Sequence, residues 1–539
     1  MSSADSGAAA APGGLRARVD AALARAVGQL PADPALAEPR RVLQQNRDQF
    51  ALPISVALVG RVSAGKSTLA NALLGGRIAP TGVSELTFNV NTFHYAPEPR
   101  LTVHYKDPDR PVEVLADAGQ EALAALTARR TGADADRLDA IDFLEFAYPN
   151  RRLRDFGLID TPGLDSVFGT DSANTRRFLG QSTDDPPDGM QEHSRRHAAR
   201  ADALVYVVSS RGQADRDLDL LRDFQGGGAE TVNPITVLGA LTKIEQYWRP
   251  DREDALAHAR MIAQHHMRRA GAQRLLHDLQ PVAGLVAETA ATLTAEEYDD
   301  LAALGRAVAH ERLKYLLEDG GTFGRADLPE LPVPAVRRHR LFDRLNAFGI
   351  THACRLIRDR CVSDPAGLRA QLEVESGLVD FRKLLLDHFG RRSDLIKLRG
   401  LINRVQSLAD AHDGRDPREP DWARAALRRA TAEVTQLAFS EHAFQELMLV
   451  HDYYAGALSF SEADAAEALR LVGARGGSAA LRLGLPPDTP VERLAAYAYQ
   501  RGNHWAVQVI DPGHSGATRR ACRIVQRSLD ALIAELGAE

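Results

Sequence analysis

A β-branched, apolar run, Ile54-Ser55-Val56-Ala57-Leu58-Val59, passes into Gly60-Arg61-Val62-Ser63-Ala64-Gly65-Lys66-Ser67 and then into Thr68-Leu69-Ala70-Asn71-Ala72-Leu73-Leu74, stopped by Gly75-Gly76. The first run reads as a buried strand and the last as a helix, so the glycines fall on the turn between them. Strand, glycine-rich turn and helix in this order form a phosphate-binding loop. The N–H groups of residues 61–67 make a concave nest, and the helix N-terminus adds partial positive charge. Lys66 strengthens the reading, because the chain holds six lysines against sixty arginines. A slim ammonium reaches the β- and γ-phosphates along the loop backbone where a planar guanidinium is too wide. The loop therefore predicts an α/β domain that binds a nucleoside triphosphate.

The rest of the composition narrows the class. A net charge of −6 and an isoelectric point near 6.3 give no basis for a nucleic-acid partner. Cys354, Cys361 and Cys522 are an odd, widely spaced set, suited neither to a disulfide framework nor to a zinc site. Cys354 and Cys361 share a helical face and read as core residues. The first fourteen residues are rich in Ala, Ser and Gly and lack the basic start and apolar run of a signal peptide. No stretch approaches the ~18 apolar residues of a membrane span. The expectation is a cytoplasmic protein whose membrane contact, if any, is peripheral, at the inner face of the cytoplasmic membrane.

Along the chain, residues 1–14 read as a disordered tail, and 15–50 as two helices, the first carrying Leu15, Val19, Leu23, Val27 and Leu30 at helical spacing. Those helices precede the first strand and are expected to pack with the helical half. Residues 51–293 alternate β-rich and helical runs, the pattern of an α/β sheet. Strands are expected at Thr87 to His94, Leu101 to Tyr105, Ile141 to Phe146, Phe156 to Asp160, Ala203 to Val208, Ile235 to Leu241 and Val282 to Val286. Residues 294–539 read almost wholly as helix, a neck or trunk bundle.

Further motifs fall in the order that a nucleoside triphosphatase requires. Asp160-Thr161-Pro162-Gly163 follows the strand ending at Asp160; the Asp holds Mg²⁺ through water, and the Gly163 N–H senses the γ-phosphate. Ser67 supplies a hydroxyl ligand to the same Mg²⁺. Between the two motifs, Pro80-Thr81-Gly82-Val83-Ser84-Glu85-Leu86-Thr87 is a switch-like segment in which Thr87, with Thr81 as competitor, ligates Mg²⁺ and orients the attacking water. Leu241-Thr242-Lys243-Ile244-Glu245 closes a later strand where GTPases carry Thr/Asn-Lys-x-Asp. Glu245 in place of Asp would accept from the guanine N1–H and 2-amino groups, with the Lys243 stem along the ring.

Two surfaces read as candidate membrane contacts. One is the basic stretch Arg382, Lys383, Arg391, Arg392, Lys397 and Arg399. The other is Leu447-Met448-Leu449-Val450 with Tyr453-Tyr454 and Leu458. For both, a solvated face or a helical core is the plainer alternative.

Taken together, these residues resemble the bacterial dynamin-like GTPases, and most closely the mycobacterial isoniazid-inducible dynamin-like proteins. The likeness lies in Ser63-Ala64-Gly65-Lys66-Ser67-Thr68-Leu69 with Asn71-Ala72-Leu73, in Ala79-Pro80-Thr81 leading to Thr87, and in Asp160-Thr161-Pro162-Gly163. It continues through Pro281-Val282-Ala283-Gly284-Leu285, Phe348-Gly349-Ile350, Glu375-Ser376-Gly377-Leu378, Arg391-Arg392-Ser393-Asp394 and His442-Ala443-Phe444-Gln445-Glu446-Leu447.

The resemblance implies an α/β P-loop GTPase head followed by an all-α helical neck and trunk, GTP with Mg²⁺, and membrane remodelling. It places nucleotide contacts at Gly60, Arg61, Val62, Ser63, Ala64, Gly65, Lys66, Ser67, Thr68, Asp160, Gly163, Thr242, Lys243 and Glu245. Catalytic roles fall on Lys66, Thr87 and Ser63, the last matching a residue that helps hold a monovalent cation, and metal contacts on Ser67, Thr87 and Asp160. Dynamins commonly carry Gln where this chain has Val62, so hydrolysis is expected to be slow or to need a second head. That head would come from a homodimer or from a hetero-assembly with a paralogous dynamin-like protein. A GTP-binding scaffold with weak hydrolysis, and an Era-like GTPase acting in assembly processes, stand as the alternative functions.

Overall fold

The computed structural model describes residues 14–61, 63–79, 90–107, 110–115, 140–161, 201–210, 233–268, 271–359, 362–411, 421–474 and 476–538. Contacts divide the chain into two compact units, Ser55–Gly390 and a second made from both ends, Met1–Ile54 with Arg391–Glu539.

The Ser55–Gly390 unit is built on a nine-stranded sheet. Its strands are β1 (Ile54–Gly60), β2 (Val90–Tyr95), β3 (Arg100–Tyr105), β4 (Glu113–Leu115), β5 (Ile141–Tyr148), β6 (Phe156–Asp160), β7 (Ala203–Ser209), β8 (Val237–Thr242) and β9 (Leu279–Pro281), in the spatial order β4-β3-β5-β2-β6-β1-β7-β8-β9. β1, β7, β8 and β9 run parallel, with Val56 opposite Ala203 and Leu204 opposite Val237. Parallel strands are covered on both faces, which explains why β1, β7 and β8 are continuous apolar runs and not alternating ones. β2 lies parallel to β5 but antiparallel to β6, where Asn91 faces Asp160.

Two expectations need correcting. The strand expected at Val282 to Val286 is a helix from Gly284, and the edge strand lies just before it at Leu279–Pro281. Two β-branched valines gave the run a strand-like look, while the glycine between them suits the close packing of Gly284 on Thr68, where an added Cβ would sit 3.4 Å from the Thr68 methyl. The compact unit also continues past residue 293 to Gly390, because helices from Ala295–Ala307 to Leu378–Phe389 share the hydrophobic core of the sheet, through Leu301, Leu345, Phe348 and Leu372. Among them Ala335–Asp359 is broken at Asn346, whose φ of 56° is left-handed and whose side chain accepts from Ala347 N at 2.6 Å. The Thr289 hydroxyl satisfies the Arg344 carbonyl at 2.7 Å just before the break.

In the other unit the helices Leu15–Gln29 and Ala37–Ala51 pack on Ser393–Ala411 and Asp421–Ser440. Val19, Leu23, Leu43, Phe50, Leu398, Leu401, Leu427 and Val434 form that core. Lys397, 3% exposed, donates to the carbonyls of Gln49 at 2.8 Å, Phe50 at 3.0 Å and Leu52, closing the C-terminal end of the second helix. Val491–Ile510 and Gly516–Ala538 form an antiparallel hairpin with Trp505 and Cys522 fully buried.

Both surfaces suggested for membrane contact are occupied otherwise. Leu447, Leu449, Val450 and Leu458 are all buried, so this segment is core. In the basic stretch Lys397 and Arg399 are buried, Arg382 bonds Glu373 at 2.9 Å and Arg392 bonds the Gly473 carbonyl. These four side chains are buried or engaged within the protein, whereas Lys383 and Arg391 of the same stretch are exposed.

Candidate functional site

Three strands end at the site, with Gly60 closing β1, Asp160 closing β6 and Thr242 closing β8. Ligands of open α/β sheets bind outside the carboxyl ends of strands, where helices begin. Gly60 is required by close approach: a Cβ there would lie 2.4 Å from the Val207 carbonyl oxygen. Ser63, at φ 58°, and Gly65, at φ 98°, both take the left-handed conformation that curls the loop before the Lys66–Leu74 helix. The Ala64 N–H closes a turn onto Arg61 O at 3.1 Å. Gly75, at φ 74°, ends the helix as its sequence suggests, its N–H 2.8 Å from Asn71 O.

Lys66 is 6% exposed, and its ammonium donates to Gly60 O at 3.2 Å and Arg61 O at 3.0 Å. Burial lowers its pKa to about 8 against the opposing pull of the Asp160 charge. Asp160 is fully buried; the lost solvation raises its pKa to about 6, while Lys66 and the Ser67 hydroxyl act to lower it. Ser67 Oγ donates to Asp160 Oδ2 at 2.8 Å, and Asp160 Oδ1 has no partner. A buried hydroxyl–carboxylate pair with one unused carboxylate oxygen is an oxygen donor set that fits Mg²⁺. Thr161, fully buried, ties the strand end to β1 by donating to Leu58 O at 2.6 Å.

The second nucleotide motif is joined to the loop through Thr242, whose hydroxyl lies 2.5 Å from Ala64 O and 3.1 Å from Val208 O. Lys243 has a left-handed φ of 57°, and its carbonyl accepts from Ser210 Oγ at 2.8 Å. Glu245, expected to read guanine, is tied to a neighbouring helix end. Only 3% exposed, its carboxylate accepts the Leu285 N–H at 2.9 Å and is also bonded by the Val286 amide, at the first turn of Gly284–Thr292. Those amides have no intrahelical acceptor, and a negative charge suits the helix N-terminus. Burial still raises the Glu245 pKa, although the backbone amides pull it down. In this arrangement the carboxylate caps the helix.

The structure thus gathers Gly60, Arg61, Ser63, Ala64, Gly65, Lys66, Ser67, Thr68, Asp160 and Thr242 in one region. Ser63 is exposed at the outer side of the loop. Val62, Thr81, Thr87 and Gly163 lie outside the described residues. Sequence reasoning missed Glu288, a 3%-exposed carboxylate that accepts from Asn71 Nδ2 and Arg77 Nε, each at 3.1 Å. Asn71 in turn accepts the Ile78 and Ala79 N–H groups at 2.8 and 2.7 Å, fixing the chain that leads out of the loop helix. It also missed Asn91, buried on β2 opposite Asp160. The available signal was an Asn interrupting a β-rich run, where such residues are rare.

This sheet and loop define a P-loop nucleotide-binding head carried with a largely helical remainder. Residues 56–223 match the model of the dynamin family. The isoniazid-induced protein IniC of Mycobacterium tuberculosis is 31% identical over 494 residues, which cover 91% of this chain and 92% of that protein. Dynamin-like protein 2 of Campylobacter jejuni is 32% identical over 113 residues, 21% of this chain and 17% of its own. A solved oligomerised bacterial dynamin pair aligns with 97% of this chain and 74% of its own, at 13% identity and a TM-score of 0.30. The chain belongs to the dynamin family, among its bacterial dynamin-like members.

Proposed function

We propose that this chain binds and hydrolyses GTP at the loop between β1 and its helix, and couples that cycle to a membrane surface. The observation that carries the reading is the convergence of buried Lys66 and Asp160 with half-buried Ser67 where β1 and β6 end. The two carbonyls that hold the Lys66 ammonium are neutral acceptors, so anionic phosphate oxygens displace them. The N–H groups of the loop and of the Lys66–Leu74 helix point the same way. Ser67 and Asp160, joined by Thr87, are the residues that would hold Mg²⁺. When bound, that ion neutralises charge on the β- and γ-phosphates. Gly163 then senses the γ-phosphate, and Ser63 helps to hold a monovalent cation.

Val62 offers no hydrogen bond to an attacking water. Hydrolysis is therefore slow in the single chain and rises when a second head, its own copy or a paralogous dynamin-like protein, completes the site. Arg61 is the residue proposed to stabilise charge there. The same valine favours a second reading, a GTP-loaded scaffold that partners a fuller dynamin-like protein. Turnover of GTP and ATP, measured with and without anionic liposomes, tests the first reading. Single-turnover hydrolysis no faster than solvent under every condition selects the scaffold. Lys66→Ala abolishes nucleotide binding, and unchanged GTP affinity in that variant overturns the site.

Among the described residues no helix is long and apolar enough to cross a membrane. The contact is instead assigned to the end of the C-terminal hairpin. Val507 and Ile510 are 61% and 75% exposed there. Arg519, Arg520, Arg523 and Arg527 follow on the next helix, and among the described residues no carboxylate pairs with any of them. Apolar side chains beside unpaired cations suit an anionic lipid surface at the inner face of the cytoplasmic membrane.

A further inference from the structure

Asn91 is fully buried, yet among the described residues neither its Nδ2 nor its Oδ1 has a hydrogen-bond partner. A buried carboxamide with every donor and acceptor idle destabilises the fold that contains it. Such groups persist where a ligand or ordered water completes them. Its position identifies what is missing. In the β2–β6 ladder Asn91 stands directly opposite Asp160. Opposed residues of an antiparallel pair project from the same face, with Cβ atoms about 4.5–5.5 Å apart. On that face Asp160 Oδ2 is taken by Ser67 and Oδ1 is idle. Two neighbouring buried groups, one an amide donor and the other a carboxylate acceptor, thus both lack a partner among the described residues.

We infer that Asn91 is a positioning residue for Asp160: its amide N–H would restrain Asp160 Oδ1 while Ser67 and the carboxylate hold a divalent cation. The inference rests on the proposed nucleotide site and adds to it a residue outside every recognised motif. Asn91 touches neither nucleotide nor metal in this role. It sets the orientation of the carboxylate that faces the cation, as the outer partners of metal ligands do. The idle amide is the stability given up so that the carboxylate can be held in its working position.

The test uses the full chain, a fluorescent guanine nucleotide and magnesium chloride. Asn91→Val and Asn91→Thr have the same shape and differ in one hydroxyl donor. Asn91→Val raises the Mg²⁺ concentration that half-maximally slows nucleotide release by about tenfold or more, whereas Asn91→Thr keeps the parent's value. Nucleotide affinity in EDTA is the same in all three. The nucleotide-free Val variant melts at or above the parent, because two unsatisfied polar atoms are gone. If it does not fold, Asn91→Ala replaces it as the donor-free variant. Equal Mg²⁺ dependence in the parent and the donor-free variant overturns the assignment of Asn91 alone, as does an equal shift in the Val and Thr variants. A parent that retains nucleotide independently of Mg²⁺, or binds none, overturns the nucleotide site and this inference with it.

Discussion

The Thr242 hydroxyl lies 2.5 Å from the Ala64 carbonyl, so the end of β8 and the phosphate loop share a hydrogen bond. Thr242→Val keeps the shape and removes the hydroxyl. A buried acceptor left unpaired costs about 1–3 kcal/mol. Chemical denaturation is expected to show a loss in that range, with weaker GTP binding because the loop carbonyl is no longer anchored. A variant with parental stability and affinity would show that the loop is held without this bond.

Glu245 separates two roles by experiment. As the acceptor for the Leu285 N–H, its replacement in Glu245→Ala leaves buried amides unpaired and lowers stability by about 1–3 kcal/mol. The ratio of GTP to ATP affinity stays unchanged. Collapse of that ratio at parental stability would restore the carboxylate as the reader of guanine.

The two described thiols should be silent. Burial raises Cys354 to about 12 and Cys522 to about 11. At pH 8 the thiolate fractions are then about one in ten thousand and one in a thousand, and only thiolates react. Iodoacetamide on the native protein, mapped by mass spectrometry, modifies neither. The sign for stability follows: between about pH 9 and 12 the unfolded chain has released the Cys354 proton and the folded chain has not. Stability therefore falls as pH rises through this window, by at most about 1.4 kcal/mol per unit from this thiol. Denaturant midpoints of the parent and Cys354→Ala, compared at pH 8 and 10, read the difference.

The hairpin end gives a surface that mutation can remove without touching a core. Val507→Ser with Ile510→Ser, and separately Arg520→Glu with Arg523→Glu, replace exposed side chains. Melting temperatures stay near the parental value. Cosedimentation with anionic vesicles is lost in both, and the parent's binding weakens as salt rises. Undiminished vesicle binding in both pairs would place the contact elsewhere.

Much of the head is legible in sequence because its local rules agree with its tertiary setting. β1 and its glycines need positive φ and close approach where the residues permit them, and β7 and β8 are apolar because both faces are covered. Reading failed where a residue's partner is remote in sequence. Glu245 looks like a base reader until Leu285, forty residues on, supplies the amide it accepts. Asn91 acquires meaning only through register with Asp160. Leu447 to Val450 are core, the plainer of their two readings, although periodicity reports a hydrophobic face without showing whether another helix covers it. In the basic stretch, likewise, the spacing of Lys397 gives no sign of the three carbonyls it meets.

The core that joins Leu15–Gln29 and Ala37–Ala51 to Ser393–Ala411 and Asp421–Ser440 has an implication for biosynthesis. The first helices leave the ribosome with Val19, Leu23 and Leu43 unprotected, and the side chains that cover them are translated some four hundred residues later. At about 5–20 residues per second that interval is roughly 20–80 s. Meanwhile the sheet-bearing segment between them can close on itself. During that time the two early helices form an amphipathic pair whose apolar side stays uncovered until the later helices arrive.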